Sequence, residues 1–396
     1  MSIRVGLGLS TEKNHFKAAK EATNQAEKML GSIRVDLAVV FSSIQFAYAN
    51  TPRIIAGLLG DIPIIGCSSL AVISGQGVFR HGLAIMLLSL TDNIYFSSGV
   101  TKEISKKSIT GAGEELGEKL LYGFKSIPRV VGVVLSDGLI PQSSQLLTGL
   151  QHKLGSSFPL AGASASDNLA FQKTFVYFNR EVLNNAACGI LLGGKFSFGL
   201  GVKHGWQPLG KPHIVTRSNG NVVYEIDGAP ASRMYEDYFA CDLNKLRQEL
   251  KRISILYPIG IYLPGEYEYL LRNILSVENN GSLVCQGDIA QDSQIRLMIG
   301  TKESCLSSTQ QAIEEVKKGL RGHISRFILI FESVSRYTLL GRQVNKELGM
   351  IKNAFSEGTP IIGIYTYGEQ APLRALNYEG KTHFHNQTIT ILGIGE

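Results

Sequence analysis

The sequence lacks the features that would support a disulfide framework, a zinc ribbon or a membrane-spanning helix. The cysteines are few, namely Cys67, Cys188, Cys241, Cys285 and Cys305. They form no Cys-x-x-Cys pair, which argues against structural disulfides and fits a reducing compartment. No apolar run approaches the ~18 residues of a transmembrane helix, and the first residues resemble a strand rather than a signal peptide. We therefore expect a soluble, cytoplasmic protein without a membrane span.

Charged residues are also sparse, and the small net charge argues against nucleic acid as a partner. Charged residues make up 18% of the chain, and 39 basic against 33 acidic residues leave a net charge of +6. This excess is too small and too scattered to indicate nucleic-acid binding. The glycine pairs Gly6-Leu7-Gly8 and Gly199-Leu200-Gly201 lack the third glycine of a dinucleotide fingerprint, and no Walker motif is present. Nucleotide binding is therefore not expected.

What the chain does contain is one pattern, x-Pro-apolar-apolar-Gly, used three times. The copies end at Gly66, Gly162 and Gly363. Each is preceded by a helix-like stretch and, before that, by a buried-looking strand; these strands cover 37–42, 130–136 and 327–333. Such a period indicates one supersecondary unit used repeatedly. We predict an α/β fold of mixed β-sheets flanked by helices, built from repeated strand–helix–strand units in two domains, 1–215 and 216–396.

Between the second and third copies the pattern changes. Residues 195–226 are rich in glycine and β-branched residues and predict a β-meander with a tight turn at Asn219-Gly220. A helix is predicted over 227–239, with Pro230 in its first turn. Residues 282–289 and 294–299 are predicted to pair as a hairpin.

The first candidate site is Gly66-Cys67-Ser68, where the repeat strand is expected to end. A thiol beside hydroxyls could act as a nucleophile or help cradle a ligand. It could equally be a turn of small residues around an inert cysteine. No nearby histidine or aspartate stands in a known catalytic order relative to the thiol, and the other two copies carry Ala163 and Ile364 instead.

The second candidate site lies in the C-terminal part. Ser335 and Arg336 follow the third repeat strand, and an arginine in this position can hold a carboxylate through two parallel N–H bonds. Glu347 or Glu369 would then hold an ammonium group, so the pair would suit an amino acid. Tyr367 and Gly368 follow the third glycine copy on the same expected sheet end. The alternative is a network of ion pairs within the protein.

Two histidines two residues apart, His383 and His385, precede Asn386. On a strand they would share one face and could hold a metal or one haem iron. A third protein ligand is not evident in the sequence. A polar cap at the start of a strand is the simpler interpretation.

Taken together, these segments resemble the FIST family, which combines a FIST N domain with a FIST C domain. The carriers are 63–68, 160–164, the long segment 205–231, Ser335-Arg336, Gly341, Glu347, Gly363, Tyr367-Gly368-Glu369 and His385-Asn386. The resemblance covers nearly the whole chain, and the segment from Trp206 to Pro230 is its most specific part. The chain departs from the family pattern at Glu332-Ser333 and at Gln387.

The resemblance implies a stand-alone bacterial sensory protein, not an enzyme, that binds a small ligand such as an amino acid. Its signalling partner, such as a histidine kinase or a cyclase, would act in trans. Because a subset of the family consists of haem-containing nitric oxide sensors, a haem cofactor is the first alternative. A hydrolase or transferase that uses Cys67 is the second.

Overall fold

The computed structural model describes residues 3–90, 92–124, 127–266, 268–373 and 381–396, and it contains three copies of one α/β unit. The first unit comprises β1 Arg4–Ser10, α1 His15–Leu30, β2 Leu37–Ser43, α2 Ile44–Tyr48, α3 Thr51–Leu59, β3 Ile64–Ser69, β4 Val72–Ser74, β5 Gly77–Phe79 and β6 Leu83–Ser89. The second comprises β7 Ile94–Thr101, α4 Ile109–Leu121, β8 Arg129–Ser136, α5 Ser143–Leu154, β9 Leu160–Ser164, β10 Val176–Phe178, β11 Glu181–Leu183 and β12 Ala187–Gly194.

The third unit is interrupted by an inserted domain. It begins with β13 Ser197–Lys203. The inserted domain follows, with β14 Gln207–Asn219, β15 Val222–Ile226, β16 Ala229–Pro230, α6 Arg233–Phe239, α7 Leu243–Leu256, β17 Ile259–Ile261, β18 Leu270–Arg272, β19 Ile274–Val277, β20 Leu283–Cys285 and β21 Gln294–Ile299. The unit then resumes with α8 Lys302–Leu320, β22 Ser325–Ser333, α9 Val334–Leu340, α10 Val344–Ala354, β23 Ile361–Thr366, β24 Gly368–Pro372, β25 Thr382–His385 and β26 Ile389–Gly395.

The three units exchange hairpins in a cycle. In the described residues the first sheet has the order β1-β6-β2-β3-β10-β11, the second β7-β12-β8-β9-β24-β25, and the third β13-β26-β22-β23-β4-β5. The last two strands of every sheet therefore come from another unit. The predicted mixed sheets and repeated units are confirmed, since each of these three sheets holds one parallel pair among antiparallel neighbours. The hairpin exchange ties the three units into one body.

The three repeat glycines occupy one register position. Gly66 lies opposite Val40, Gly162 opposite Val134 and Gly363 opposite Ile330 in the parallel pairs. A Cβ at Gly66 or Gly162 would lie 1.8 or 1.9 Å from the carbonyl oxygen of the facing residue. The glycines lie within β3, β9 and β23 and do not end them, so the expectation that the first repeat strand ends at Gly66 is wrong.

The two G-x-G segments have a packing role. Cβ atoms at Gly6 and Gly8 would lie 2.0 and 1.8 Å from carbonyl oxygens of α1, and those at Gly199 and Gly201 would lie 2.0 and 2.1 Å from carbonyl oxygens of α8. The glycines let the first strand of each of these units lie directly against its helix. In α1 the facing stripe is made of Ala18, Ala19, Ala22 and Ala26, all buried.

The inner faces of the three sheets form a shared core. The residue after each repeat glycine, namely Cys67, Ala163 or Ile364, points into it. Phe41 and Phe331, from the first and third sheets, meet edge to face with ring centroids 6.2 Å apart. Cys67 is therefore the packing equivalent of an alanine and an isoleucine.

The inserted domain differs in part from the prediction. The β14–β15 hairpin and its turn at Asn219-Gly220 are confirmed, with Gly220 at a φ of 56°. However, β13 pairs with β26 and not with β14, so the meander is wrong there. Ala229–Pro230 is a strand, and the helix begins at Arg233. The hairpin predicted for 282–289 with 294–299 is also wrong, because β20 pairs with β15 and β19 while β21 pairs with β14 and β17.

Among the described residues, none of the helices is long and apolar enough to cross a bilayer.

Candidate functional site

The carboxyl ends of the three repeat strands meet in a buried hydroxyl network. Ser68 Oγ donates to the carbonyl of Ser166 at 3.0 Å, and Ser166 Oγ donates to the carbonyl of Tyr365 at 2.5 Å. Ser69 Oγ also donates to the Tyr365 carbonyl, at 2.9 Å. Since these hydroxyls are buried and bonded to backbone carbonyls, they join the units to one another.

Cys67 lacks the environment of a nucleophile. Its thiol is fully buried between neighbouring strands, opposite Phe41 on one side and Val176 on the other. Burial, with a contribution from Cys188, raises the pKa of Cys67 well above its ordinary value. A catalytic cysteine needs a lowered pKa and access to substrate. The geometry therefore offers no support for the predicted alternative of a Cys67-dependent hydrolase or transferase.

Thiol labelling tests this difference between the cysteines. Cys67, Cys188, Cys285 and Cys305 are buried, whereas Cys241 is partly exposed. We expect iodoacetamide to modify the native protein once, at Cys241, and the other four only after unfolding, as read by intact mass. A Cys241→Ser variant should remain unlabelled. Rapid labelling of Cys67 in that variant would contradict the burial described here.

Arg336 is part of a buried ionic cluster and does not face a cavity. Its guanidinium is wholly buried. Nε donates to Glu332 Oε1 at 3.1 Å, and Nη2 donates to Glu347. The remaining partners are the carbonyls of His204 and Cys305 and the hydroxyls of Ser308 and Thr309.

Every nitrogen of this guanidinium thus has a partner within the protein. The predicted clamp, with Arg336 on a ligand carboxylate and Glu347 on an ammonium, has no free donor in this arrangement. Burial and the charge of Glu347 raise the pKa of Glu332 well above its ordinary value. Glu332, one of the residues at which the chain departs from the family pattern, is thus a hydrogen-bond partner of Arg336.

Glu369 and the two histidines are also engaged internally. Glu369 accepts from the backbone and side chain of Thr388 at 3.1 and 2.8 Å, and burial raises its pKa to about 8. His385 Nε2 lies 2.9 Å from the carbonyl of Ala371, and burial lowers the pKa of His385 to about 3. His383 and His385 lie on strand β25, with ring centroids 6.4 Å apart. No group of three metal-ligating side chains occurs in the ranges that the structure covers.

A cavity of about 760 Å³ lies where the inserted domain meets the second and third units. The second unit contributes Gly138, Leu139, Ile140, Pro141, Leu169 and Phe171, and the third contributes Val334, Ser335, Thr338 and Phe384. The inserted domain contributes Asn221, Arg247, Leu250, Lys251, Ser254, Ile255, Asn273, Ile274, Leu275, Val284, Gln286 and Gly287. A concave, mostly apolar site of this size with a few polar groups is typical of small-molecule binding.

The polar side of the cavity centres on Asn273. Its Nδ2 donates to Gln286 Oε1 at 3.2 Å and to Ser335 Oγ at 3.4 Å. Its backbone N donates to Asn386 Oδ1 at 3.2 Å, and Gln387 Nε2 donates to its Oδ1. These bonds hold the amide and hydroxyl groups of two domains in one fixed arrangement.

Helix α7 forms one wall of the cavity. The lining residues recur every three to four positions along the helix, at Arg247, at Leu250 and Lys251, and at Ser254 and Ile255, and therefore share one face. The helix starts at an Asp242 cap, whose side chain accepts from the backbone N of Lys245 at 2.8 Å. Gln387, the second departure from the family pattern, donates to the carbonyl of Ser254 at 2.9 Å and so fixes the end of α7 against the third unit.

The opposite wall is held by Asp167. Its carboxylate accepts from the backbone N atoms of Ala170 at 2.9 Å and Gln172 at 2.9 Å, and from the hydroxyl of Tyr367. This bonding places the Phe171 ring in a stack on Tyr367, with centroids 4.1 Å apart. Although burial opposes it, the Tyr367 bond lowers the pKa of Asp167, so the carboxylate stays charged.

Of the predicted site residues, Ser335 lines the cavity. Tyr367 and Asn386 lie directly behind it, because Gln286 and Asn386 both donate to the Tyr367 carbonyl. Gly368 lies against the Phe384 ring, where a Cβ would come within 2.2 Å. The other predicted residues are not among those that line the cavity: Gly66, Cys67, Ser68, Arg336, Glu347, Glu369 and His385. Ligand binding by the predicted set stays a prediction.

Sequence reasoning missed the residues of the inserted domain, above all Lys251, Ser254, Asn273 and Gln286. The one available signal was the helical spacing of polar and apolar residues in α7. Asn273 lies between β18 and β19 and Gln286 directly follows β20, and neither belongs to a motif.

Two models of protein-family domains match most of the chain. The model of the FIST N domain matches residues 36–229, and that of the FIST C domain matches residues 231–372. The chain belongs to the FIST family. FIST domains are associated with small-ligand sensing. The change from one matched region to the other falls at β16, within the inserted domain.

Relatives of this FIST protein include uncharacterized proteins of two organisms. One from Methanocaldococcus jannaschii is 24% identical over a region that makes up 77% of this chain and 61% of the relative. One from Mycobacterium tuberculosis is 22% identical over 95% of the chain and 96% of the relative. The solved structure of a cyanuric acid hydrolase aligns over 100% of this chain and 100% of its own, with 8% sequence identity and a TM-score of 0.35. That of the cyanuric acid hydrolase from A. caulinodans aligns over 49% of this chain and 71% of its own, with a TM-score of 0.29.

Proposed function

We propose that this FIST protein is a sensor whose small-molecule ligand occupies the cavity between the inserted domain and the second and third units, and that it signals by contact with a partner protein. The observation that carries the proposal is the cavity itself. Its volume of about 760 Å³ suits a metabolite, and its walls combine apolar side chains with a few ordered polar groups.

The position of the cavity suggests how binding could be transmitted. Leu250, Asn273 and Leu275 belong to the inserted domain, while Ile140 and Ser335 belong to the second and third units. A ligand in contact with all of them favours the arrangement of domains in which its contacts are complete. A signalling partner, such as a histidine kinase or a cyclase in trans, would then recognise that arrangement.

Blocking the cavity tests the proposal. Leu275 lines it but is 45% exposed, so a Leu275→Trp variant should fold and fill part of the space. We expect native mass spectrometry of freshly purified parent protein to show a retained small molecule that the variant lacks. Leu58→Trp, at a 38% exposed position on α3, is the matched control and should retain it. Equal retention by both variants would contradict binding in this cavity.

A further inference from the structure

The cavity carries positive charge without an acidic side chain to balance it. Arg247 and Lys251 are its charged lining residues, and no aspartate or glutamate lines it among the described residues. Arg247 is partly engaged, with Nε donating to the carbonyl of Val277 at 2.8 Å and Nη2 to Asn279 Oδ1 at 2.9 Å. Lys251 is exposed and makes no ion pair within the described ranges. An ammonium group is thus available at the edge of the cavity.

A second positive charge lies just behind the lining. Arg272 is buried beneath Phe384, with its guanidinium 6.0 Å from the ring centroid. It donates to the carbonyls of Leu271, Phe384 and Asp288, and it has no carboxylate within 4.0 Å in the part of the chain that the structure describes. Burial lowers the pKa of Arg272 to about 10, which leaves it charged at neutral pH. The Asp288 carboxylate, which accepts from Ser144 Oγ at 2.7 Å, offsets part of this charge.

The uncharged polar groups of the cavity also have donors to spare. Ser254 Oγ accepts from the backbone N of Ile274 at 2.8 Å, and Ser335 Oγ accepts from Asn273. Within the described ranges neither hydroxyl hydrogen has an acceptor. Gln286 uses one Nε2 hydrogen on the carbonyl of Tyr367, and the other has no acceptor among the described residues. Such a lining satisfies a ligand that brings acceptors, and its described residues offer an ammonium group no carboxylate partner.

We propose that the ligand class of this site is an amphiphilic anion, with a carboxylate or similar acceptor group held by Lys251 and the hydroxyl and amide donors, and an apolar body against Leu250, Ile274 and Phe171. This inference rests on the proposed function, since it concerns the same cavity. It differs from a free amino acid in one respect, because no aspartate or glutamate among the described lining residues is there to pair with an α-ammonium group.

Three probes with one indole body test the charge preference by calorimetry: indole-3-propionate, tryptamine and tryptophan. We expect the anion to bind at least about tenfold more tightly than the amine or the zwitterion, since a charge-assisted hydrogen bond is worth roughly that factor. The advantage should shrink as salt is added, because the lysine lies at the solvent-exposed edge. Lys251→Met should weaken indole-3-propionate about tenfold and leave tryptamine unchanged.

Lys245→Met is the matched control, since Lys245 is an exposed lysine of the same helix that does not line the cavity. It should bind all three probes as the parent does. The anionic class is overturned if tryptamine or tryptophan binds as tightly as the anion, or if none of the probes binds. The proposed function is then decided separately, by whether the protein retains a small molecule. If Leu275→Trp binds indole-3-propionate as tightly as the parent, the site lies elsewhere and both proposals fail.

Discussion

Replacing Arg336 by methionine is expected to lower the free energy of unfolding by about 3–5 kcal/mol at neutral pH. The substitution removes the cation from a cluster in which Glu332 and Glu347 are both buried. The cost arises chiefly because one partner of a buried ion pair is left uncompensated. Urea unfolding followed by circular dichroism measures the difference.

The loss should depend on pH in a defined direction. Because burial raises the pKa of Glu332 above its unfolded value, the folded state binds more protons, and the stability from this group is present at low pH and lost as pH rises. Because the charge of Arg336 opposes this rise in the pKa of Glu332, the loss of stability with rising pH should be larger in the Arg336→Met variant. The stability of the variant should therefore be closest to that of the parent at about pH 5 and furthest below it at about pH 8.

Two further variants separate charge from packing. Arg336→Met combined with Glu347→Gln should recover part of the lost stability, because it removes one of the uncompensated charges. Arg233→Met removes an exposed arginine that pairs with Asp237 at 2.8 Å and should cost less than about 1 kcal/mol. An Arg336→Met variant as stable as Arg233→Met at every pH would show that the cluster is not needed for stability.

Gly162→Ala is expected to cost more than about 4 kcal/mol or to prevent folding. The added Cβ would lie 1.9 Å from the carbonyl oxygen of Val134, and main-chain atoms of the neighbouring strand cannot yield as a flexible side chain could. Gly66→Ala should behave alike, with 1.8 Å to the Val40 carbonyl oxygen. Gly363→Ala, at 2.5 Å from the Ile330 carbonyl oxygen, should be the mildest of the three.

Helical glycines provide the control for this series. Gly57 in α3 and Gly349 in α10 have nothing within 4 Å of an added Cβ. Alanine at either position should raise stability by about 0.5–1 kcal/mol, because glycine is the poorer helix former. Soluble yield and thermal unfolding compare the five variants. Gly162→Ala with parental stability would contradict the register described for β8 and β9.

The sequence predicted the repeated part of the fold well and the inserted domain poorly. Each x-Pro-apolar-apolar-Gly copy marked a buried strand, because the close approach to the facing strand leaves room only for glycine there. The hairpin exchange was not predictable, because β4, β10 and β24 pair with strands far away in the sequence. The prediction that β20 pairs with β21 was wrong for the same reason, since β20 pairs with β15 and β21 with β17.

The candidate site shows the same division. Arg336 carried a correct local signal, an arginine just after a core strand, but its partners His204, Cys305 and Ser308 come from distant segments that enclose it. Ser335, its neighbour, lines the cavity because successive residues of a short helix point in different directions. Neighbouring residues can thus serve stability and a binding site separately.

What the amino-acid sequence by itself determined was the family, FIST, together with local features, namely which residues form buried strands and where glycine is required. What only the tertiary structure decided was which side chains share a space. The cavity brings together α7, the Asn273 amide and the loops after β8 and β9, which are separated in the chain by up to about a third of its length. Their meeting depends on the exchange of hairpins and on the inserted domain docking over two units, and neither leaves a periodic pattern in the sequence, because both are set by packing between distant surfaces.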